Sequence, residues 1–249
     1  MKTIGFHIQK GGVGKTTVSG SVAFYLASKG RKTVIIDGDP QGSASTWLVG
    51  KRPGVKYELA DVLTGSAKAR EALFPLSEHL SIIPSFGKGG GLKNYAEGPL
   101  LDEPFIFLDL REELEKAGFE FVVYDLSPGM SRLERCIILS FDEVITPFTP
   151  EFFSLDGLDI FRDELKKIQK SYRREVQHSK IVINALNQSF RRHTLITESF
   201  RAMPYQLFII PQDSHLAEAQ MVGKTIFESD PHSKSAQPIR DLAEAIAGD

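Results

Sequence analysis

Eight residues near the start of the chain, Lys10 to Thr17 (KGGVGKTT), crowd three glycines, two lysines and two hydroxyls together. Gly11, Gly12 and Gly14 carry no Cβ, so the backbone can bend sharply and turn several N–H groups toward one anion. Lys15 adds a cation for the outer phosphates of a nucleotide, and the Thr16 hydroxyl can ligate Mg²⁺. The candidate cradle is therefore Gly11, Gly12, Val13, Gly14, Lys15, Thr16 and Thr17. Carboxylates recur at the ends of apolar runs. IIDGDPQGS (35–43) presents Asp37 and Asp39, and FVVYDLSPG (121–129) presents Asp125. Transfer of a phosphoryl group to water needs that water held in line and the waters of a metal ion held in place. Two carboxylates two residues apart can divide those tasks, although Asp-Pro is also an ordinary turn initiator. Asn184, closing IVIN (181–184), has an amide able to read an adenine edge, or to serve as a cap.

These residues need elements that bring them to one place. The expected strands are Thr3–Ile8, Lys32–Asp37, Leu80–Pro84, Phe121–Asp125, Glu143–Thr146, Lys180–Asn184, Gln206–Ile210 and a short Thr225–Phe227. They are apolar throughout, as strands covered on both faces should be. Helical patterns separate most of them, beginning with Val18–Ser28. The order predicts an α/β fold: a doubly wound, mostly parallel sheet with helices on both faces. Ligands of such sheets bind at the carboxyl ends of the strands, where the residues above fall. A helix over 154–176 would bury Leu158, Phe161, Leu165, Ile168 and Tyr172 on one stripe. Residues 50–65 and 85–104 read as surface loops or short helices, with Gly89–Gly91 a flexible loop rather than a second anion nest.

Bulk properties narrow the function classes. The 249 residues suit one α/β domain spanning 1–249. The 25 % charged and 41 % hydrophobic residues are ordinary for a globular protein, and a net charge of −2 excludes a general polyanion binder. A single cysteine, Cys136, excludes an internal disulfide framework and a Cys-x-x-Cys metal or Fe–S site. No apolar run approaches the roughly 20 residues that cross a bilayer. With the first strand at residue 2 or 3 there is no room for a signal peptide, and a cytoplasmic protein is expected.

The loop departs from G-x-x-x-x-G-K-[ST] in having Gln9 at the first glycine and Lys10 directly after it. In this it resembles the deviant Walker A loop of the ParA/MinD family of P-loop ATPases. The resemblance runs from Met1 to about Gly248 and is most specific at 9–17, 35–43, 121–129 and 209–227. It implies ATP and Mg²⁺ as cofactors, with Lys10 reaching the nucleotide of a partner subunit in an ATP-dependent homodimer. It implies that Lys10, Lys15 and Asp39 are catalytic, with Asp39 positioning the water. Thr16, Asp37 and Asp125 then belong to the metal shell. Ser127, Pro128 and Gly129 would sense the γ-phosphate; Gly129 stands where the family more often has a second proline. Asn184, Pro211 and Asp213 match positions around the adenine, and Asp213 reads equally well as a helix N-cap.

The same resemblance implies a segregation ATPase that binds DNA without sequence preference, associates with the nucleoid when ATP-bound and is released by a ParB-type centromere-binding partner. Arg162, Lys166 and Lys170 on the long helix, followed by Arg191, Arg192, Lys224 and Lys234, are the candidate DNA contacts. A solvated helix face explains the first three as well. Gln212 and His215 replace family arginines, which shifts the weight to Arg191, Arg192, Lys224 and the long helix. The alternatives are a ParA-like ATPase that positions a protein complex and a MinD-like membrane ATPase. The C-terminal RDLAEAIAGD is too acidic and too small for a membrane anchor. Lone Cys136 cannot supply two cluster ligands per subunit, which argues against the nitrogenase-reductase and Fe–S scaffold relatives. Because phosphate contacts release counterions, DNA retention should fall steeply between about 50 and 200 mM salt, measured by filter binding.

Overall fold

Apolar runs with no polar face are stable as strands only where both sides are covered, and the architecture supplies that cover. The structure, a computed structural model, describes residues 1–50, 54–87, 90–151 and 154–248. The elements are β1 (Lys2–Phe6), α1 (Lys15–Ser28), β2 (Thr33–Asp37), α2 (Ser43–Leu48), α3 (Leu59–Leu63), α4 (Ala69–Ala72), β3 (Phe74–Pro75) and β4 (Leu80–Ile83). After these come α5 (Gly91–Glu97), α6 (Ile106–Lys116), β5 (Phe121–Asp125), α7 (Arg132–Ile138), β6 (Glu143–Phe148), α8 (Ser154–Tyr172), β7 (Gln177–Leu186) and α9 (Arg191–Arg201). The chain closes with β8 (Gln206–Pro211), α10 (Ser214–Met221), α11 (Ile226–Ser229) and α12 (Ala236–Ala247). The eight strands form one sheet in the order β3-β4-β2-β5-β1-β6-β7-β8. Every pairing is parallel except β3 with β4.

Every residue of β2, β5 and β6 is buried. One side of the sheet packs Tyr124, Phe141, Phe161 and Phe200 beneath α6 to α9. The other packs Phe6, Ile35, Val123 and Val182 beneath α1, α2, α11 and α12. Register does the positioning. Phe6 and Asp37 both pair with Asp125, so the ends of β1, β5 and β2 lie side by side at one edge of the sheet. The loop at 9–14 rises from that edge between β1 and α1.

Several expectations are corrected. Thr225–Phe227 is not a strand: Thr225 caps α11, its backbone N–H and hydroxyl donating to Glu228 at 2.8 and 2.9 Å. A T-x-x-E capping box thus outweighs three residues of β propensity. The long helix stops at Tyr172 because Arg173 takes φ 51°, and Tyr172 is 37 % exposed, its ring meeting Phe105 edge-on instead of entering the core. β7 extends three residues earlier and two later than expected, and β3 was not foreseen. Of Gly89–Gly91, Gly89 lies outside the described residues; Gly90, at φ 66°, caps α5.

Gly5 in β1 marks the closest packing. A Cβ there would lie 1.8 Å from the Phe141 ring. Gly5→Ala should therefore cost about 1–3 kcal/mol through overpacking, read as a lower urea midpoint at unchanged m-value.

Candidate nucleotide site

The loop is shaped by two left-handed glycines, Gly12 at φ 72° and Gly14 at φ 88°. Gly14 also opens α1, with Val18 N–H donating to its carbonyl at 3.0 Å. Larger residues are excluded at 14 for a second reason: a Cβ would lie 2.1 Å from the Asn184 amide nitrogen. That amide donates to Val13 O at 3.0 Å, while Asn184 Oδ1 accepts from Ala185 N–H at 2.9 Å. Asn184 therefore buttresses the loop. Thr17 is tied from the other side, its hydroxyl accepting from Gln220 Nε2 at 3.0 Å.

The two lysines separate by burial. Lys15 turns inward, 7 % exposed, and donates to Lys10 O at 2.8 Å, folding the loop around its own ammonium. Burial lowers the Lys15 pKa, while the carboxylates of Asp125 and Asp39 oppose that effect. Lys10 points to the rim and pairs with Glu151 at 2.5 Å. This pair holds the Glu151 carboxyl below its usual range, the Lys10 hydrogen bond being the main cause.

The carboxylates take unequal positions. Asp37 is fully buried and its Oδ2 accepts from Ser45 N–H at 2.7 Å and Ser45 Oγ at 2.6 Å. It acts as the remote cap of α2, and its Oδ1 receives Asp39 N–H at 3.2 Å. Asp125 accepts a long contact from Ser19 Oγ, 3.4 Å, and among the described residues its Oδ2 is buried with no hydrogen-bond partner. Burial drives both pKa values upward; the Asp125 charge adds to the Asp37 shift, and the Asp39 charge adds to that of Asp125. The Thr16 hydroxyl acts on Asp125 in the opposite sense. An unpartnered buried carboxylate oxygen beside a hydroxyl fits a hard cation, directly or through its waters. Asp37, with both oxygens committed, fits the support of that shell rather than direct ligation. Among the described residues no group of three or more His, Cys, Asp or Glu forms a metal cage. Any cation here must take most of its ligands from water and phosphate.

Asp39 is 9 % exposed, and its Oδ1 accepts Gln41 N–H at 2.8 Å in a local turn. Burial raises its pKa, Gln41 and Lys15 lower it, and Glu134 raises it again. Asp213 is the N-cap of α10, accepting from His215 N–H, and it ties that corner to α12 by accepting from Ser235 N–H and Oγ at 3.2 and 2.8 Å. Pro211 ends β8 beside Leu186. The structure thus gathers 10–17, 37–39 and 125 at one sheet edge, with 184 against the loop. Four contributors escaped the sequence reading: Ser45, Glu134, Glu151 and Gln220. Only Glu134 carried a local signal, the capping box S-x-x-E beginning at Ser131.

Residues 1–178 match the family model described as an AAA domain. The chain is 42 % identical over 247 residues to the uncharacterized protein BBD21 of Borreliella burgdorferi, covering 99 % of each. It is 30 % identical over 251 residues to the chromosome-partitioning ATPase Soj of Treponema pallidum, covering 98 % of this chain and 96 % of that one. Its fold is similar, at a TM-score of 0.81 and 20 % identity, to a putative plasmid partition protein of Borrelia burgdorferi bound to AMPPNP, covering 99 % and 98 %.

The raised carboxylates have a measurable consequence. A group whose pKa is higher folded than unfolded binds its proton more tightly in the native state, so stability falls as pH rises from about 4 toward neutrality. The contributions of Asp37 and Asp125 are therefore smaller at pH 8 than at pH 5, while buried His7 and His178, whose pKa values burial lowers, act in the opposite sense. Asp125→Asn should recover about 1–3 kcal/mol at pH 8 and much less at pH 5, in urea titrations at both pH values.

Proposed function

The chain belongs to the ParA/Soj-type P-loop ATPases, and from that premise we propose that it is a DNA-segregation ATPase worked by an ATP-dependent homodimer. The observation that carries this reading is the division of labour between the two loop lysines. Lys15 is turned in under its own loop, whereas Lys10 stands on the rim with its ammonium engaged by an exposed carboxylate. In this reading one ammonium serves the nucleotide of its own subunit and the other, once it leaves Glu151, that of a second copy.

In this reading the loop amides and Lys15 bind the ATP phosphates, and Thr16 and Asp125 hold Mg²⁺, with Asp37 supporting its water shell. The bound ion supplies charge neutralisation on the outer phosphate oxygens. Asp39 orients the attacking water; its burial beside Lys15 fits a carboxylate working close to phosphate. Asn184, Pro211 and Asp213 line the adenine end, with Asn184 acting chiefly through Val13. Hydrolysis alters what the turns after Asp37 and Asp125 must hold, and thereby the dimer.

For DNA, the basic residues are unequal. Arg162 and Lys166 have acidic neighbours one turn away, Asp159 at 3.4 Å and Asp163 at 3.7 Å. Exposed pairs of this kind are weak and yield to phosphate, but they reduce the net field of α8. Arg191 and Arg192 begin α9, where Arg192 acts on Glu151 and so lies toward the Lys10 rim. Together with exposed Lys224 and Lys234 they are the stronger candidates, with Lys170 at the far end of α8 contributing to the α8 face. Release by a ParB-type partner and nucleoid association in the ATP state complete the cycle. A MinD-like membrane role is disfavoured because α12 already spends its apolar face, burying Ile239, Leu242 and Ile246 beside α1. Among the described residues no helix is long and apolar enough to cross a membrane.

The test is DNA retention with ATP, ADP and no nucleotide, for wild type and Lys10→Ala. Retention with ATP alone, reduced at least about tenfold in the variant, is the expected result, since the buried charge contact across a dimer is worth a few kcal/mol. Equal retention in all three conditions would overturn the reading.

A further inference from the structure

The turn after β5 is closed by a carboxylate that the mechanism above does not use. Glu134, in the first turn of α7, is 3 % exposed. Its Oε2 accepts from Ser131 N–H at 2.7 Å and Ser131 Oγ at 2.6 Å, a capping box. Its Oε1 does something a cap does not require: it reaches back seven residues and accepts the hydroxyl proton of Ser127. Ser127 Oγ in turn accepts Gly129 N–H at 3.3 Å. Two donors that this turn could offer an anion, the Ser127 hydroxyl and the Gly129 amide, are thus spent inside the turn. Across the site, the Glu134 charge also repels that of Asp39.

We propose that Glu134 is a positioning residue that locks the 126–130 turn in a self-satisfied state and so sets how strongly the protein prefers a nucleoside triphosphate to a diphosphate. The inference rests on the nucleotide site proposed above. A third phosphate can draw on Ser127 O–H and Gly129 N–H only if Glu134 releases Ser127. A diphosphate makes no such demand. The lock therefore weakens triphosphate binding while leaving diphosphate binding alone. It also holds the turn closed until a γ-phosphate competes for it.

Glu134→Gln separates this role from the helix cap. The glutamine oxygen still accepts Ser131 N–H, but its NH₂ cannot accept the Ser127 hydroxyl proton. The measurement is the Kd of ATPγS and of ADP, each with Mg²⁺, by calorimetry on the full chain. Glu134→Gln should raise the ratio Kd(ADP)/Kd(ATPγS) roughly five- to tenfold, the net worth of one ordinary hydrogen bond, with ADP affinity unchanged. Glu134→Asp, whose shorter side chain keeps an acceptor for the cap but cannot also reach Ser127, should raise the same ratio, and it serves alone if the glutamine variant does not fold. A ratio that stays put or falls in the folded variants overturns the lock while leaving the proposed function standing. A wild type that binds neither nucleotide overturns both.

Discussion

Two carboxylates, Asp37 and Asp125, end adjacent parallel strands and are buried side by side. Like charges in that position repel, and each has lost its water. The surrounding structure is arranged around this cost. Asp37 is offset by hydrogen bonds from Ser45 and Asp39, which turn its charge into the cap of α2. Asp125 is offset only in part, by Ser19, Thr16 and the Lys15 ammonium, and among the described residues one of its oxygens has no hydrogen-bond partner. The unpaired half is where a cation improves matters most. A site that is electrostatically incomplete when empty gains stability on loading, which ties binding to the state of the strand ends.

That incompleteness is confined to a rigid floor. β1, β2 and β5 are almost entirely buried, and the loop is pinned by Asn184, by the Lys15–Lys10 contact and by Gln220 on Thr17. The parts above the floor are held differently. The turn after Asp37 is fastened to the end of β4 through Ser85, whose Oγ donates to Asp37 O at 2.6 Å and whose N–H donates to Ser45 Oγ at 2.9 Å. The turn after Asp125 hangs on Glu134. Side-chain hydrogen bonds of this kind can be exchanged for bonds to an anion without unpacking the core. The division between immobile strands and exchangeable turns is what a nucleotide-operated switch requires.

The outer surface follows the same economy of charge. The modest net charge of −2 leaves basic residues in local groups, several of them countered within one helical turn. Any attraction to a polyanion would have to be assembled from few residues. The acidic, small-residue C-terminal helix meanwhile has its apolar stripe buried against α1, leaving a polar outer face.

Read from the residues alone, the doubly wound sheet was legible because apolar, β-branched runs without alternation have no stable alternative to burial on both faces. The glycine-rich loop before α1 was legible because its glycines and lysines lie within eight consecutive residues. The carboxylates Asp37, Asp39 and Asp125 were legible because strand ends are fixed by local pattern. What sequence could not supply were the contacts between distant residues. Asn184 lies 171 residues from Val13, Glu151 lies 141 from Lys10, and Gln220 lies 203 from Thr17, and none carries a local mark of its partner. Nor did the helical stripe show that Tyr172, in the last turn of α8, would meet the Phe105 ring edge-on and stay partly exposed. Composition and spacing therefore determined which chemistry the chain carries. Only the tertiary structure decided which of the two lysines faces inward and which carboxylate is left without a partner, because burial and charge neighbours are properties of the packed chain.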